Sequence, residues 1–367
     1  MKVSYSYLQD QFANPEPIFA EFRKLIQSGD FTIGKAVAEF EQKFSAHCGA
    51  KFGIGVGTGT DALFLSLKAL GIGAGDEVIT CPFTFVATVG AIVQSGARPV
   101  FVDATDQFVI DSNKIEKAIT PRTKAIMPVH YSGQPCDMPK ILAIAKKHNL
   151  RIVEDACQSI GGEFDGKRVG SFGDAAGFSL HPLKNLNVWG DGGIITTNSQ
   201  EIRDRLNLLR NHGLANRDEV HIYGYNCRLD TLQAVVGLWL FPQAEKITEA
   251  RIATAALFDR ELGKLKQIKV PPRSKNCRHV YHIYMLHAER RDELVQYLLK
   301  NGVDAKVHYP IPMHLQKASK PWGYKVGDFP VSESHSKTIF TLPVHQHLTD
   351  EQKQYCVDTV KAFYAKK

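Results

Sequence analysis

The chain is poor in several signals that would decide a function at sight. Its seven cysteines (Cys48, Cys81, Cys136, Cys157, Cys227, Cys277 and Cys356) are odd in number, scattered and free of any CxxC pair. That argues against a disulfide frame and a zinc site, and for reduced thiols in a cytoplasm. No apolar run reaches the about 18 residues a membrane helix needs, and the opening MKVSYSYLQDQF has no apolar leader core. A soluble, cytoplasmic protein with no membrane partner is expected. There is no internal repeat, no low-complexity segment, no dense Lys/Arg run and no RNA-binding signature, so nucleic acid is not an expected partner. The excess of basic residues, 45 against 38 acidic, is modest and suits an anionic small substrate.

What is present is ample core for a large domain and a smaller one, with 44% hydrophobic residues in a chain of 367. Helical spacing over Pro15–Ile26 and Val37–Phe44 fills the first 50 residues. From 51 to about 200, short apolar runs alternate with helical patterns. Seven runs are candidate strands: Phe52–Gly57, Glu77–Thr80, Pro99–Asp103, Lys124–His130, Arg151–Glu154, Ala175–Leu180 and Gly193–Thr197. The alternation predicts an α/β fold, a mostly parallel seven-stranded sheet sandwiched by helices. A large domain is expected over 1–245, ending in a helix over Asp230–Lys246. A smaller α+β domain follows over 246–367, with a helix over 247–264, strands near Ile268–Val270, His279–His287 and Asp304–His308, and a helix over Arg291–Asn301.

In such sheets ligands sit beyond the carboxyl ends of the strands. Thr58, Phe85, Asp103, His130, Asp155, Ser179 and Lys184 fall at those ends. A lone lysine in a loop is usually a solvated charge. Asp155, 29 residues before Lys184 and also at a strand end, changes the weighing. An amine and a carboxylate so placed suit pyridoxal phosphate: the lysine condenses with its aldehyde, and the carboxylate keeps the ring nitrogen protonated. The turn Gly55-Val-Gly-Thr-Gly-Thr-Asp61 opens a helix whose N–H groups suit a phosphate, although a tight turn with an Asp cap reads the same way. Phe83 or Phe85 could stack on a flat cofactor, and either could equally be core. Ser179 can donate to a phosphate. His181 competes as a base and ranks below Lys184.

Eight motifs in order resemble the DegT/DnrJ/EryC1/StrS family of sugar aminotransferases, pyridoxal-phosphate enzymes of the aspartate aminotransferase fold. They are Gly59-Thr-Asp-Ala-Leu63, Thr84-Phe-Val-Ala-Thr88, Pro128-Val-His-Tyr-Ser-Gly-Gln134, Glu154-Asp-Ala-Cys-Gln158, Phe178-Ser-Leu-His-Pro-Leu-Lys-Asn185, Gly190-Asp-Gly-Gly193, Gly224-Tyr-Asn-Cys-Arg228 and His308-Tyr-Pro-Ile-Pro312. The resemblance implies that Lys184 carries the cofactor and that Asp155 pairs with its ring nitrogen. It implies further that Phe85 stacks on the ring, that Gln158 lies beside it, and that Gly59, Thr60 and Ser179 hold the phosphate. Asn226 would reach the phosphate of a neighbouring subunit's cofactor, making the active unit a homodimer with shared sites. His308 and Tyr309 would border the sugar, and Trp189 either lines the same pocket or packs in the core.

A branch of the family that carries histidine at the lysine position performs dehydration, and Lys184 excludes the chain from it. The expected reaction is amination of a keto-sugar, nucleotide-linked and oxidised at C3, with L-glutamate as donor and 2-oxoglutarate as product. A 4-keto sugar, a sugar acid or a cyclitol are the alternative acceptors, and a silent partner subunit is the non-enzymatic one. The product would feed polysaccharide, lipopolysaccharide or an antibiotic sugar. No metal is expected.

Overall fold

The structure, a computed structural model, describes residues 1–365. Three helices precede the first strand: α1 (Leu8–Gln11), α2 (Glu16–Ser28) and α3 (Lys35–Cys48). Phe40 and Phe44, four residues apart on α3, turn the same buried face inward, where Phe44 meets Phe178 edge to face at 4.9 Å.

Strands and helices then alternate: β1 (Phe52–Val56), α4 (Gly59–Ala69), β2 (Glu77–Thr80), α5 (Val86–Ser95), β3 (Arg98–Phe101), β4 (Thr123–Ile126), α6 (Met138–His148) and β5 (Arg151–Asp155). A hairpin, β6 (Glu163–Phe164) and β7 (Lys167–Arg168), leads into β8 (Ala175–Ser179), β9 (Gly193–Thr197), α7 (Gln200–Arg210) and α8 (Thr231–Leu240). The large sheet has the order β1-β9-β8-β5-β4-β2-β3. Its links from β8 through β5, β4 and β2 to β3 are all parallel, and β9 alone runs against its neighbours. β2, β8 and β9 are buried along their whole length, as expected of strands covered on both faces. The seven expected strands are all there, with ends trimmed by up to four residues.

A second body is built from α9 (Ala244–Leu262), β10 (Ile268–Lys269), β11 (Cys277–Arg278), β12 (Tyr284–Ala288), α10 (Arg291–Lys300), α11 (Pro330–Thr338), β13 (Ile339–Leu342) and α12 (Asp350–Ala365). β10, β12 and β13 form an antiparallel sheet over a core of Phe258, Tyr284, Leu286, Leu294, Phe340 and Val357. Three expectations change here. The run 279–287 is a strand only from 284, because its earlier backbone groups pair with residues 132 and 133 (Val280 N to Gly133 O, 3.1 Å; Ile283 N to Ser132 O, 3.3 Å). Residues 304–308 supply a single bridge, Lys306 to Thr341, and the third strand is β13 instead. The expected helix over 230–246 stops at Leu240, where Pro242 stands in a 3-10 turn, and α9 starts at Ala244.

The first residues are part of this second body. Val3 bridges Val303 in parallel and is wholly buried in its core. Among the described residues no helix is long and apolar enough to cross a membrane.

Candidate active site

The carboxyl ends of β1, β5 and β8 meet the N-terminus of α4. Thr58 caps that helix, its Oγ1 accepting from Asp61 N at 2.9 Å. The N–H groups of the first turn are therefore aimed past Ser179, at the end of β8, into a cavity of about 400 Å³. Residue 59 must be glycine. A Cβ there would lie 2.6 Å from Ser179 Cβ, closer than side chains approach. The close approach brings a hydroxyl and a helix N-terminus to one spot, an arrangement suited to a phosphate.

Lys184 enters the same cavity from the segment joining β8 to β9. Its main chain turns back on His181 O at 2.8 Å, and Leu180 and Val188 close the segment with a 2.9 Å bond. Burial pushes the Lys184 ammonium below the usual lysine value, partly countered by Cys157 and Asp155. Asp155 is buried beside the cavity at the end of β5. Its carboxylate accepts from Thr88 Oγ1 at 2.7 Å and from Cys157 N at 3.2 Å, and Thr88 in turn meets Thr84 at 2.8 Å. These bonds fix the carboxylate's orientation, and Cys157 itself lines the cavity.

The wall opposite is aromatic. Phe85, at the start of α5, is 46% exposed within the single chain. Its ring lies 5.6 Å from that of Tyr309, which comes from the second body. Tyr131 Oη donates to His308 O at 2.7 Å and ties that segment to the large sheet. His181, His282 and His308 also face the cavity. Burial holds His308 down to about 4, with Lys306 and Lys184 adding to the effect. Burial and then Lys184 hold His282 well below its ordinary value. Both imidazoles are neutral near pH 7 and act as hydrogen-bonding groups rather than cations.

Of the residues singled out from the sequence, Gly59, Thr60, Phe85, Ser179, Lys184, His308 and Tyr309 line this one cavity. Asp155 borders it. Gln158 is buried, its Oε1 accepting from Ser132 N at 2.7 Å, and does not line the cavity. Trp189 points elsewhere: it makes edge contacts with Phe12, Phe19 and Phe22, at 5.5–5.8 Å. The packing reading of that tryptophan is the one its position supports. Asn226 is exposed and bridges Asn211, away from this chain's own cavity. Asp103 and His130 serve structure. Asp103 caps α11 through Ser332 N at 2.9 Å, and His130 is buried against Glu154 at 3.1 Å.

Sequence reasoning missed Tyr5, His282 and Cys157 as cavity residues. Cys157 stood inside a quoted motif. Tyr5 and His282 lie 179 and 98 residues from Lys184 (184 − 5 and 282 − 184), and nothing local marks them.

A model of the DegT/DnrJ/EryC1/StrS aminotransferase family matches residues 14–361. A dTDP-3-amino-3,6-dideoxy-alpha-D-galactopyranose transaminase of Aneurinibacillus thermoaerophilus is 41% identical, with 93% of each chain covered. A "Pleiotropic regulatory protein" of Geobacillus stearothermophilus is 42% identical over 99% of each chain. Among solved structures, DesV of S. venezuelae in complex with a ketimine intermediate superposes with a TM-score of 0.97 at 36% identity, covering 100% of this chain and 99% of that one.

Proposed function

This chain belongs to the DegT/DnrJ/EryC1/StrS aminotransferase family, and on that premise we propose that it moves the amino group of L-glutamate onto a nucleotide-linked 3-keto hexose. One observation carries the site reading. An amine destabilised as a cation by burial, Lys184, shares a cavity with an open helix N-terminus and borders a carboxylate held by two donors, Asp155.

These residues fit pyridoxal phosphate, the cofactor of the family. Gly59 packs so closely on Ser179 that a Cβ there would clash, and this close approach brings the start of α4 and the Ser179 hydroxyl to the edge of one cavity, where a phosphate would be held. When bound, the cofactor supplies an aldehyde for the lysine and a protonated ring that takes up an electron pair from the donor's Cα. Lys184 is the amine that would condense with that aldehyde, and its Nζ is placed to act as the base that would take the Cα proton and deliver it to the former aldehyde carbon. Burial lowers the ammonium's pKa below the ordinary lysine value, which favours the neutral amine relative to an exposed lysine. Asp155 would keep the ring nitrogen protonated, Thr60 and Ser179 would hold the phosphate with the α4 N–H groups, and Phe85 would offer its ring to the cofactor. Gln158, outside the cavity lining, orders the turn at Ser132 by accepting its N–H.

The 3-keto, nucleotide-linked acceptor is supported by the relatives. The Aneurinibacillus protein is named for a dTDP-3-amino sugar, and a 39% identical Acidithiobacillus ferrooxidans protein is named a UDP-N-acetyl-3-dehydro-alpha-D-glucosamine 3-aminotransferase. His308 and Tyr309, opposite Lys184, are the side chains for the sugar. The working unit is a homodimer in which Asn226 reaches the partner's cofactor phosphate. Supporting this, Tyr223 is 98% exposed, Phe31 and Val220 about half exposed, and all are apolar surface near Asn226 or the α8 start. Seven free cysteines suit the cytoplasm.

The test incubates holoenzyme with glutamate and a panel of 3-keto and 4-keto nucleotide sugars, with mass spectrometry for amino product. Amination of a 3-keto member is expected. Amination of only 4-keto members would overturn the acceptor assignment, and no amination of any sugar would favour the regulatory role named for the Geobacillus relative.

A further inference from the structure

Lys184 has a long, flexible side chain, so its Nζ can be placed only as well as its main chain is held. That main chain lies between strands, where no ladder fixes it. The Lys184 carbonyl is instead gripped by two side-chain donors, Tyr7 Oη at 2.9 Å and Asn187 Nδ2 at 2.9 Å. Tyr7 Oη also stands 3.4 Å from Leu183 O, so it sits under the turn that delivers the lysine. Tyr7 and Asn187 are buried, at 3% and 0% exposure.

The grip has its own support. Asn187 Oδ1 accepts from Gln11 Nε2 at 2.8 Å, and Gln11 Oε1 accepts from Gln346 Nε2 at 2.8 Å. The Tyr7 ring stacks on His345 at 5.1 Å, and the Arg251 guanidinium lies 5.2 Å from its centre. Arg251 donates in turn to Tyr281 O at 3.3 Å, next to His282 in the cavity wall. Burial raises the Tyr7 phenol above its ordinary value, so it stays a donor across the working range.

Tyr7 and Gln11 belong to the N-terminal arm, which is laced to the second body. Val3 N donates to Gly302 O at 2.8 Å, Asp304 N to Val3 O at 2.9 Å, and Tyr5 N to Asp304 Oδ2 at 3.2 Å. His345 Nε2 meets Ser4 O at 3.0 Å. The arm thus ties the body that carries His308 and Tyr309 to the turn that carries Lys184.

We propose that Tyr7 is a positioning residue for Lys184: through its hydrogen bond to the Lys184 carbonyl, the N-terminal arm holds the lysine turn in register with the cavity wall formed by the second body. The inference rests on Lys184 being the cofactor lysine. It has a separate readout, because the pH dependence of the bound cofactor's absorbance reports the environment of the lysine nitrogen.

The experiment uses full-length holoenzyme with Tyr7→Phe, which keeps the ring and its stacking and removes the hydroxyl, with its bond to the Lys184 carbonyl and the long 3.5 Å contact it accepts from Asn187 Nδ2. Gln11→Met, which unhooks Asn187 at one remove, is the second variant should the first not fold. The expected result is a kcat roughly fivefold lower per bound cofactor with KM for the keto-sugar unchanged, as one lost hydrogen bond allows. The pH midpoint of cofactor absorbance should move by about half a unit. An unchanged kcat and midpoint in a folded variant overturn the proposal, whatever happens to the melting temperature. Lys184→Ala, run alongside, tests the underlying reading by itself: a cofactor spectrum identical to wild type would remove Lys184 from the site and leave Tyr7 purely structural.

Discussion

Gly59→Ala probes the phosphate cradle with a single methyl group. The added Cβ would stand 2.6 Å from Ser179 Cβ and 3.1 Å from Ser179 Cα and Oγ. Carbon atoms rest at about 3.5–4.0 Å, so the start of α4 and the end of β8 must part by about 1 Å. Rotating the Ser179 hydroxyl does not help, because the clash is with Cα and Cβ, which β8 fixes. A 1 Å retreat takes an N–H donor of the first helical turn out of hydrogen-bond range of a phosphate. A hydrogen bond to a charged group contributes about 1.5–3 kcal/mol, so affinity for pyridoxal phosphate should fall roughly 10- to 150-fold. The assay titrates the apo variant with pyridoxal phosphate and, separately, with pyridoxal, which lacks the phosphate. Both aldehydes can react with Lys184, but only one engages the helix. Affinity for pyridoxal should stay within about twofold of wild type. Equal loss for both ligands, or loss for neither, would refute the assignment of the phosphate to this helix end.

Three further outcomes are expected. Asp155→Asn keeps one oxygen for Cys157 N–H and turns its amide toward Thr88 Oγ1, which can accept from it while donating to Thr84, so stability measured by denaturant should change by no more than about 1 kcal/mol. Loss of its charge should cut kcat by roughly a hundredfold or more, because the ring nitrogen is no longer held protonated. Glu154, wholly buried, accepts from Gly170, Phe172 and Gly173 N–H at 2.8–2.9 Å and meets His130 at 3.1 Å. Glu154→Gln turns an amide donor toward these donors and should cost roughly 2–4 kcal/mol in chemical denaturation. Burial holds His47, His287, His308 and His345 to about 4 each. An unfolded histidine titrates near 6.5. Between those values the unfolded chain binds protons that the folded chain does not, so stability falls as pH drops from about 6.5 toward 4. By about pH 5.5 the loss reaches about 1.4 kcal/mol per fully responsive histidine, and melting temperatures on either side of that window read it.

The large sheet was legible because its strands are short apolar runs bounded by glycine and polar turns, with helical spacing between them. That Gly59, Ser179 and Lys184 meet at one cavity, with Asp155 beside it, was legible because they stand at or just beyond strand ends, where an α/β sheet places its ligands. The second body was harder. Ile339–Leu342 becomes a strand only because β12 offers it an edge, and residues 279–283 leave the strand pattern because residues 132 and 133 take their backbone hydrogen bonds. Pro242 was visible in the sequence, and it ends α8 where helical spacing alone ran on to Lys246. Tyr5 and Tyr7 were invisible as site residues, since only the folding of the N-terminal arm onto Val303 and Asp304 carries them beneath Lys184. Trp189 illustrates the opposite case: near the lysine in sequence, it turns to Phe12, Phe19 and Phe22.

The account stands on Lys184, and borohydride trapping tests it most directly. Holoenzyme reduced with borohydride, digested and analysed by mass spectrometry should carry the pyridoxyl group on Lys184, and Lys184→Ala should carry none and release no 2-oxoglutarate from glutamate. A pyridoxyl group on another lysine, or a Lys184→Ala protein that aminates the sugar at the wild-type rate, would contradict it.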